Sequence, residues 1–438
     1  MSVTFQSIVG DNSHKSNLFK YVGVIASILL VVFPLSINVM HNVHGVVIAM
    51  SLILIGILYY TDNKIVALDQ NEKYFIASII FMILTVVSVS VYAGIDEVIV
   101  KKLFKYTYLI LIIPVYFLFR IIKVNYSLLW YGLFVGAVIS GMYGMNQIIY
   151  PPFFDVVYTP RARGVTNPII YGDFALLMGV MCLAGIGWFK SRANWQVILP
   201  VFAFSMGLLS SVISQSRGGW LAIPFFMVIF LWGANASKYI KASGVVLVLI
   251  GMVFVYLSPQ TGVEARLNES ITSIEMYLYN DTDSKNHLTT IGIRLEAWKA
   301  AWLVFLDNPL IGVGWGHFQE NAKIYVEDNQ LHKSALLFAH PHNQFLAVMA
   351  SGGIIATIAI FFLFFIPLRV FYRACKSAEA SIEIHRIGLA GILFIIGFVV
   401  FNLSESFLER SRTVSFFIFY LAVLMAGIRE RDRETGHG

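Results

Sequence analysis

The sequence predicts an all-α, polytopic integral membrane protein with about 12 transmembrane helices and one long hydrophilic loop. Its composition supports this fold class, because the 438 residues are 58% hydrophobic and only 13% charged, with a mean hydropathy of +0.75. A soluble domain is usually about one quarter charged, so this chain has too little charge to cover a globular surface. The composition therefore excludes a soluble enzyme, a disordered chain and a coiled coil.

Apolar runs of spanning length, at roughly 20 residues per crossing, are the second observation. Twelve candidates lie near residues 18–36, 43–60, 74–93, 104–121, 127–149, 169–188, 195–213, 219–235, 239–257, 343–368, 387–402 and 413–428. The runs at 219–235 and 387–402 are short, which predicts a tilt or a break. The runs define an N-terminal transmembrane bundle of about nine helices at 1–257, a loop with amphipathic helices at 258–342, and C-terminal transmembrane helices with a tail at 343–438.

Positive charge predicts the orientation of the chain. An even number of crossings places both termini on one side, and that side has 17 of the 31 Lys and Arg residues, against eight in the opposite short loops. Because cytoplasmic loops are enriched in Lys and Arg, we expect both termini to be cytoplasmic and the long loop extracytoplasmic. The net charge of +6 is then explained by topology and a small cationic pocket, and it does not indicate nucleic-acid binding.

Four of the arginines on the extracytoplasmic side, where this rule disfavours them, stand out. Arg161 and Arg163 belong to the loop TPRARGVTNP, and Arg217 belongs to the short loop SQSRGGW. Arg294 begins an aromatic helix in the long loop. Arginine can bind phosphate through two parallel hydrogen bonds, so we predict that these side chains form an anion site. Snorkelling of single arginines to lipid headgroups is the plainer alternative.

The first half of the long loop has few features that indicate chemistry. Residues 264–279 predict one amphipathic helix, and residues 280–290 predict a polar loop. Asp281 and Asp283 lie in this polar stretch, where an Asp-x-Asp pair is more typical of a turn than of a metal site. No other cluster has convincing ligand spacing, so the sequence predicts neither a metal nor a cofactor.

The second half of the long loop predicts an interfacial helix followed by tight turns. Arg294, Trp298 and Trp302 recur at four-residue spacing and therefore share one helix face. Tryptophan is favoured at the membrane interface, which indicates that this face lies close to the bilayer. The helix is expected to stop at Asn308-Pro309, and the glycines that follow predict close backbone approaches at Gly312, Gly314 and Gly316.

Two histidines stand at the end of the long loop, in His340-Pro341-His342-Asn343. His342 and Asn343 are expected to start the next membrane helix. Histidine is well matched to proton transfer near neutral pH, and a helix N-terminus favours a nearby anion. Between the last two apolar runs, Glu405 is predicted to pair with Arg410 or Arg412, or else to support the histidine or an active-site arginine.

Together these residues indicate an anionic, lipid-carried substrate bound at the membrane boundary. A polyprenyl diphosphate fits best, because its phosphates lie at headgroup depth and its tail lies in the bilayer. The arginines would bind the diphosphate and stabilise the leaving group, while a histidine would orient or deprotonate an acceptor hydroxyl. A transporter or flippase is the rival class, but it predicts charged sites near the bilayer midplane, and the apolar runs are nearly free of charge.

Three motifs in this region resemble the O-antigen ligase and polymerase superfamily. They are the Arg-x-x-x-Trp helix from Arg294 to Trp298, the Asp-x-Pro-Leu-x-Gly-x-Gly turn from Asp307 to Gly314, and His342-Asn343 with Leu346 at the entry to a membrane helix. The stretches SRGGW at Arg217 and RARG-x-x-NP at 161–168 also look like the family. The resemblance covers roughly residues 160–350 by motif.

This resemblance implies a metal-independent glycosyltransferase of the bacterial inner membrane, with both termini cytoplasmic and a periplasmic active site. The ligase branch moves O-antigen from undecaprenyl diphosphate to the lipid A–core oligosaccharide. A third branch glycosylates proteins, and the moderate loop looks more like the ligase than that branch. The polymerase branch, which joins O-units, is the alternative. The donor, the acceptor and membrane lipids are the implied partners.

The resemblance also implies roles for single residues. Arg161, Arg163, Arg217 and Arg294 would contact the diphosphate or the phosphates of the core. His342 would be the catalytic histidine with Asn343 positioning it, while the additional histidine leaves His340 as the alternative base. Trp298 and Glu405 would support the site.

Overall fold

The structure is a computed structural model that describes residues 4–61, 67–149, 159–233, 263–279, 288–377 and 380–434, with isolated positions between 239 and 258. All regular structure within these residues is helical. Eight helices are long and apolar enough to cross a membrane, and a pair of helices bent by 54° is a candidate ninth span. The predicted class, an all-α polytopic membrane protein, is confirmed, while the total of 12 crossings stays a prediction.

We number the described helices in chain order. They are α1 Thr4–Ser36, α2 Val43–Thr61, α3 Gln70–Ala93, α4 Glu97–Thr107, α5 Ile112–Ile121, α6 Ser127–Ile148, α7 Pro168–Ala184, α8 Ile186–Arg192, α9 Ile198–Ser214, α10 Arg217–Gly233, α11 Val263–Tyr279, α12 Thr290–Asp307, α13 Phe318–Glu327, α14 Gln344–Lys376, α15 Ile382–Phe401 and α16 Ser411–Glu434. Short 3₁₀ turns occupy Tyr108–Leu111, Asn194–Val197, Lys333–Leu336 and Phe407–Glu409.

Several predicted crossings differ from the observed helices. The run at 104–121 is divided into α4, a 3₁₀ turn and α5, because Pro114 in the first turn of α5 has no N–H to continue an incoming helix. The run at 219–235 forms α10, a helix of only 17 residues. The run at 387–402 is part of α15, whose 20 residues can span without a break. The run at 239–257 lies mostly outside the described residues.

The long loop follows the prediction closely where it is described. The expected amphipathic helix at 264–279 is α11, and the aromatic helix α12 ends at Asp307, directly before Asn308-Pro309. The glycines at 312, 314 and 316 all have positive φ angles, as the predicted tight turns require. Residues 280–287, with Asp281 and Asp283, lie outside the described residues.

Helix α16 lies at the centre of the bundle. Of its most apolar window, 94% is buried against other helices. Phe416 stacks on Phe174 of α7 at 3.9 Å between ring centroids, and Phe419 stacks on Phe33 of α1 at 4.2 Å. The C-terminal helices are therefore surrounded by N-terminal ones rather than appended to them.

Ion pairs and hydrogen bonds distinguish the two ends of this bundle. At one end, Glu72 of α3 pairs with Arg120 of α5 at 2.6 Å, and Asp69 pairs with Arg429 of α16 at 3.2 Å. We call this the Glu72 end. The opposite end of α16 lies roughly 30 Å away, since a helix rises 1.5 Å per residue. It contains the loops before α14 and α16, and we call it the histidine end.

Candidate active site

The histidines occupy a strained turn at the start of α14. The side chain of Asn343 caps this helix by accepting hydrogen bonds from the backbone N–H groups of Phe345 and Leu346, at 3.0 and 3.2 Å. His342 has a φ angle of +50°, a left-handed conformation that is uncommon for residues other than glycine. The predicted helix start at His342 and Asn343 is confirmed. The contacts of Asn343 fix the backbone that carries His342 rather than the imidazole ring itself.

His342 pairs with Glu405, which lies in the loop between α15 and α16. The Nδ1 atom of His342 is 3.2 Å from Oε2 of Glu405, and the glutamate side chain is only 2% exposed. Burial raises the pKa of Glu405, but the His342 ring, Arg410 and the backbone N–H of Ser406 outweigh it and hold that pKa at about 2. Glu405 is therefore ionised and presents a fixed carboxylate to Nδ1 of the histidine.

His340 packs directly against His342. Their ring centroids are 4.4 Å apart, and Nδ1 of His340 accepts a hydrogen bond from the backbone N–H of His342 at 3.2 Å. Burial is the main reason why the pKa of His340 is lowered, although the charge of Glu409 opposes it. His340 is thus kept neutral near pH 7 and supports the backbone turn of His342.

The two histidines and Glu405 also form a possible ligand set for a metal. One donor atom from each residue lies within 4.8 Å of the others. Two imidazoles and one carboxylate are a donor set that a divalent transition metal can use. The sequence did not indicate this set, because Glu405 is more than 60 residues from either histidine.

Helix α12 places Arg294 and Trp298 beside the histidine turn. The Nε1 atom of Trp298 donates a hydrogen bond to the Pro341 carbonyl at 2.9 Å. Arg294 lies one turn earlier on the same face, where burial lowers its pKa, the Glu405 carboxylate opposes this shift, and the charge of Arg217 adds to it. Within the described part of the chain, no carboxylate lies within ion-pairing distance of Arg294. Its charge is therefore available to an anionic ligand.

Arg217 begins α10 and approaches the same region. Its guanidinium pairs with the Glu269 carboxylate of α11 at 2.8 Å and also donates to the hydroxyl of Ser270. Local sequence patterns did not predict this pairing, since the partners are 52 residues apart and belong to different elements. The carboxylate of Glu269 occupies one of the positions that a phosphate oxygen would need.

Arg161 and Arg163 are used differently. The guanidinium of Arg161 donates to the Ser214 carbonyl at 2.8 and 3.0 Å and to the Gln215 carbonyl at 3.3 Å. These carbonyls lie at the C-terminal end of α9, directly before Arg217. Arg161 therefore holds the backbone in place at the start of α10. The backbone N–H of Arg163 donates to Gln147 at 3.0 Å, and its side chain is exposed. The role of both arginines in phosphate binding stays a prediction.

The predicted alternatives for Glu405 can now be compared. Its Oε1 atom lies 3.8 Å from the guanidinium of Arg410, while Oε2 contacts His342. Arg412 instead donates to the backbone carbonyls of Ile37 and Met40 at the end of α1. Glu405 therefore combines the two predicted pairings, one with a neighbouring arginine and one with the histidine.

The fold and this site define a class of polytopic membrane protein with histidines, a buried carboxylate and unbalanced arginines at one end of its helix bundle. The sequence model of a family described as O-antigen ligase matches residues 201–361, which include Arg217, Arg294, His340 and His342. This segment is thus similar to the O-antigen ligase family, as the motifs indicated.

A relative from Haemophilus influenzae is 24% identical over 378 residues. The alignment covers 85% of this chain and 90% of the relative, which is described only as an uncharacterized protein. This similarity therefore extends over most of the bundle, including regions outside the matched family segment.

Proposed function

We propose that the protein is an O-antigen ligase, which transfers O-antigen polysaccharide from undecaprenyl diphosphate to the lipid A–core oligosaccharide. The reaction would take place on the periplasmic face of the bacterial inner membrane, with both termini cytoplasmic. The observation that carries this proposal is the pairing of buried Glu405 with His342, close to Arg294, which has no carboxylate within ion-pairing distance among the described residues.

In this reaction His342 acts as the general base. The Glu405 carboxylate accepts a hydrogen bond from the Nδ1–H group, which leaves Nε2 of the neutral ring free to accept a proton. The acceptor hydroxyl oxygen bonds to the anomeric carbon of the donor sugar as its proton passes to Nε2. The bond between that carbon and the diphosphate oxygen breaks, and undecaprenyl diphosphate leaves with the bonding electrons. Glu405 stabilises the resulting imidazolium.

Arg294 and Arg217 stabilise the diphosphate. Negative charge grows on the leaving oxygen in the transition state, so fixed cations there lower the barrier. The absence of a carboxylate within ion-pairing distance of Arg294 among the described residues supports this role, whereas Arg217 must exchange Glu269 for a phosphate oxygen. Arg161 and Arg163 contribute at the edge of the same region, with Arg161 holding the backbone before Arg217.

An apolar cavity next to Arg217 supports a lipid-linked donor. It has a volume of about 400 Å³ and is bordered by α9, α10 and α11, through residues that include Val212, Trp220 and Leu267. Trp220 lies one helical turn beyond Arg217 and Leu267 two residues before Glu269. A diphosphate on Arg217 would thus have space for the start of its hydrocarbon chain.

A reaction of purified protein with lipid-linked O-antigen and lipid A–core tests this proposal. We expect polysaccharide to appear on lipid A–core, and we expect the rate to persist in EDTA because the mechanism needs no metal. Longer lipid-linked chains with unmodified lipid A–core would instead identify a polymerase. Loss of transfer in EDTA, with recovery on addition of a divalent metal, would assign His340, His342 and Glu405 to a metal.

A further inference from the structure

A second group of cations, separate from Arg217 and Arg294, lies close to the histidines. It consists of Lys102 and Lys105 on α4 and Arg410 before α16. Lys102 pairs with Glu409, whereas Lys105 is exposed and has no carboxylate within ion-pairing distance among the described residues. Lys105 lies close enough to interact with the charges of Lys102, Glu409 and Arg410. We call these three cations the α4 cluster.

The charged contacts connect the His342–Glu405 pair with both cationic groups. Arg294 interacts with Arg217 and with Glu405. Glu405 also contacts Arg410, which in turn lies near Lys105. Cations of both groups therefore lie close to the His342–Glu405 pair.

Two cationic groups are more than a diphosphate donor requires. Neighbouring like charges repel each other, and the two carboxylates that pair with the α4 cluster, Glu409 and Glu405, do not balance its three cations. Such an excess favours binding of a second anion. A glycosyl transfer between two membrane lipids also requires a second substrate to reach the base, and the α4 cluster lies close to it.

The surface around the α4 cluster suits an amphiphilic ligand. Phe104 is 71% exposed and Val98 is 44% exposed on the same helix as the two lysines. Helix α4 directly precedes the 3₁₀ turn and α5, so its end reaches the apolar part of the bundle. Cations beside exposed apolar side chains fit a phosphate group attached to a lipid.

We propose that Lys102, Lys105 and Arg410 bind a phosphate group of the acceptor glycolipid and so place its hydroxyl at His342. This inference rests on the proposed function, because it assigns the acceptor side of the same site. It separates the two substrates: the diphosphate of the donor on Arg217 and Arg294, and the phosphate of the acceptor on the α4 cluster.

Equilibrium binding to the purified full chain tests this assignment. The probes are phosphorylated lipid A–core, the same glycolipid after phosphatase treatment, and undecaprenyl diphosphate. We expect Lys105→Gln to weaken binding of the phosphorylated glycolipid by about fivefold, the effect of one near-surface charge, and the double variant with Arg410→Gln to weaken it further. Lys101→Gln is the matched control, since Lys101 is exposed on α4 and pairs with Glu97.

Three results would overturn the assignment. The first is equal binding of both glycolipid forms by the unmodified protein, and the second is a Lys105→Gln variant that loses no more than Lys101→Gln. The third is phosphatidylglycerol displacing the glycolipid at equal concentration, which would make the α4 cluster a general lipid-headgroup site. The transfer assay tests the proposed function separately. If the protein transfers no polysaccharide but still binds the glycolipid in a phosphate-dependent way, the ligase proposal is contradicted and the phosphate site is not.

Discussion

The two ends of the helix bundle use similar side chains for different purposes. At the Glu72 end, a buried glutamate contacts Arg120 at 2.6 Å and also accepts a hydrogen bond from Tyr116, and both partners belong to α5. At the histidine end, buried Glu405 contacts His342 and Arg410, and all three lie in loops or next to helix ends. Both carboxylates are ionised partners of cations within the protein.

The two ends differ in the balance of charges and in the regularity of the backbone. At the Glu72 end each acid has its own arginine, and the helices that carry them are regular. At the histidine end Arg294 and Lys105 have no carboxylate within ion-pairing distance in the described chain, and His342 has a positive φ angle. Backbone strain and unbalanced charge are typical of sites that bind ligands. We therefore assign stability to the first end and chemistry to the second.

Replacing His342 tests the histidine end with the largest expected effect. His342→Ala should reduce the rate of transfer by about 10²–10⁴-fold, the usual contribution of a general base. Because the His342 side chain is partly exposed and lies in a loop, the protein should still fold and bind undecaprenyl diphosphate. The control is His317→Ala at the same end, where His317 pairs with Asp96 at 2.8 Å. Similar transfer rates in the two variants would remove His342 as the base.

Replacing a glutamate at each end should separate stability from activity. Glu72→Gln removes the charge that balances buried Arg120. We expect the free energy of unfolding to fall by about 3–5 kcal/mol. Glu405→Gln should keep the fold but slow transfer by roughly 10–100-fold, as is common when a partner that orients a histidine is lost. Thermal unfolding and initial rates of both variants are the measurements. A Glu405→Gln variant with full activity but low stability would place Glu405 with Glu72 as a structural residue.

Two arginines at the same end allow a finer comparison. Arg294→Gln should weaken binding of undecaprenyl diphosphate by about 1.5–3 kcal/mol, because a charged hydrogen bond is lost. Arg161→Gln should affect mainly stability, since its guanidinium already donates to the carbonyls of Ser214 and Gln215. Donor binding is measured for both purified variants. Equal losses of affinity would indicate that Arg161 leaves these carbonyls to bind phosphate.

The pH dependence of stability should show a smaller effect of His340. Burial lowers the pKa of His340 below 6.5, so the unfolded chain binds a proton that the folded protein resists. Stability should therefore fall as the pH decreases from 7 toward 5. Glu409, His342, Glu405 and Lys102 face this ring, and the comparison with His340→Asn isolates its contribution. If the unfolding temperature changes with pH to the same extent in the unmodified protein and in the His340→Asn variant, this explanation is contradicted.

The sequence predicted those features of the site that depend on local patterns. Apolar runs, the Arg294–Trp298 spacing and the capping residue Asn343 act within a few residues, and the structure contains each predicted helix there. The contacts between Glu405 and His342, and between Arg217 and Glu269, join residues 63 and 52 positions apart. Local patterns contain no information on such pairs. The four predicted arginines could not be distinguished from the sequence either. Hydrogen bonds to backbone carbonyls, such as those of Arg161, do not depend on composition or residue spacing.

The central claim is that the histidine end binds a polyprenyl diphosphate between Arg217, Arg294 and His342. An experimental structure with undecaprenyl diphosphate bound tests this most directly. We expect phosphate oxygens within about 3 Å of both guanidinium groups, the usual length of a charged hydrogen bond. Arg217 should no longer contact Glu269, while Arg161 should still donate to its backbone carbonyls. A diphosphate bound away from Arg294, or at the Glu72 end, would contradict it.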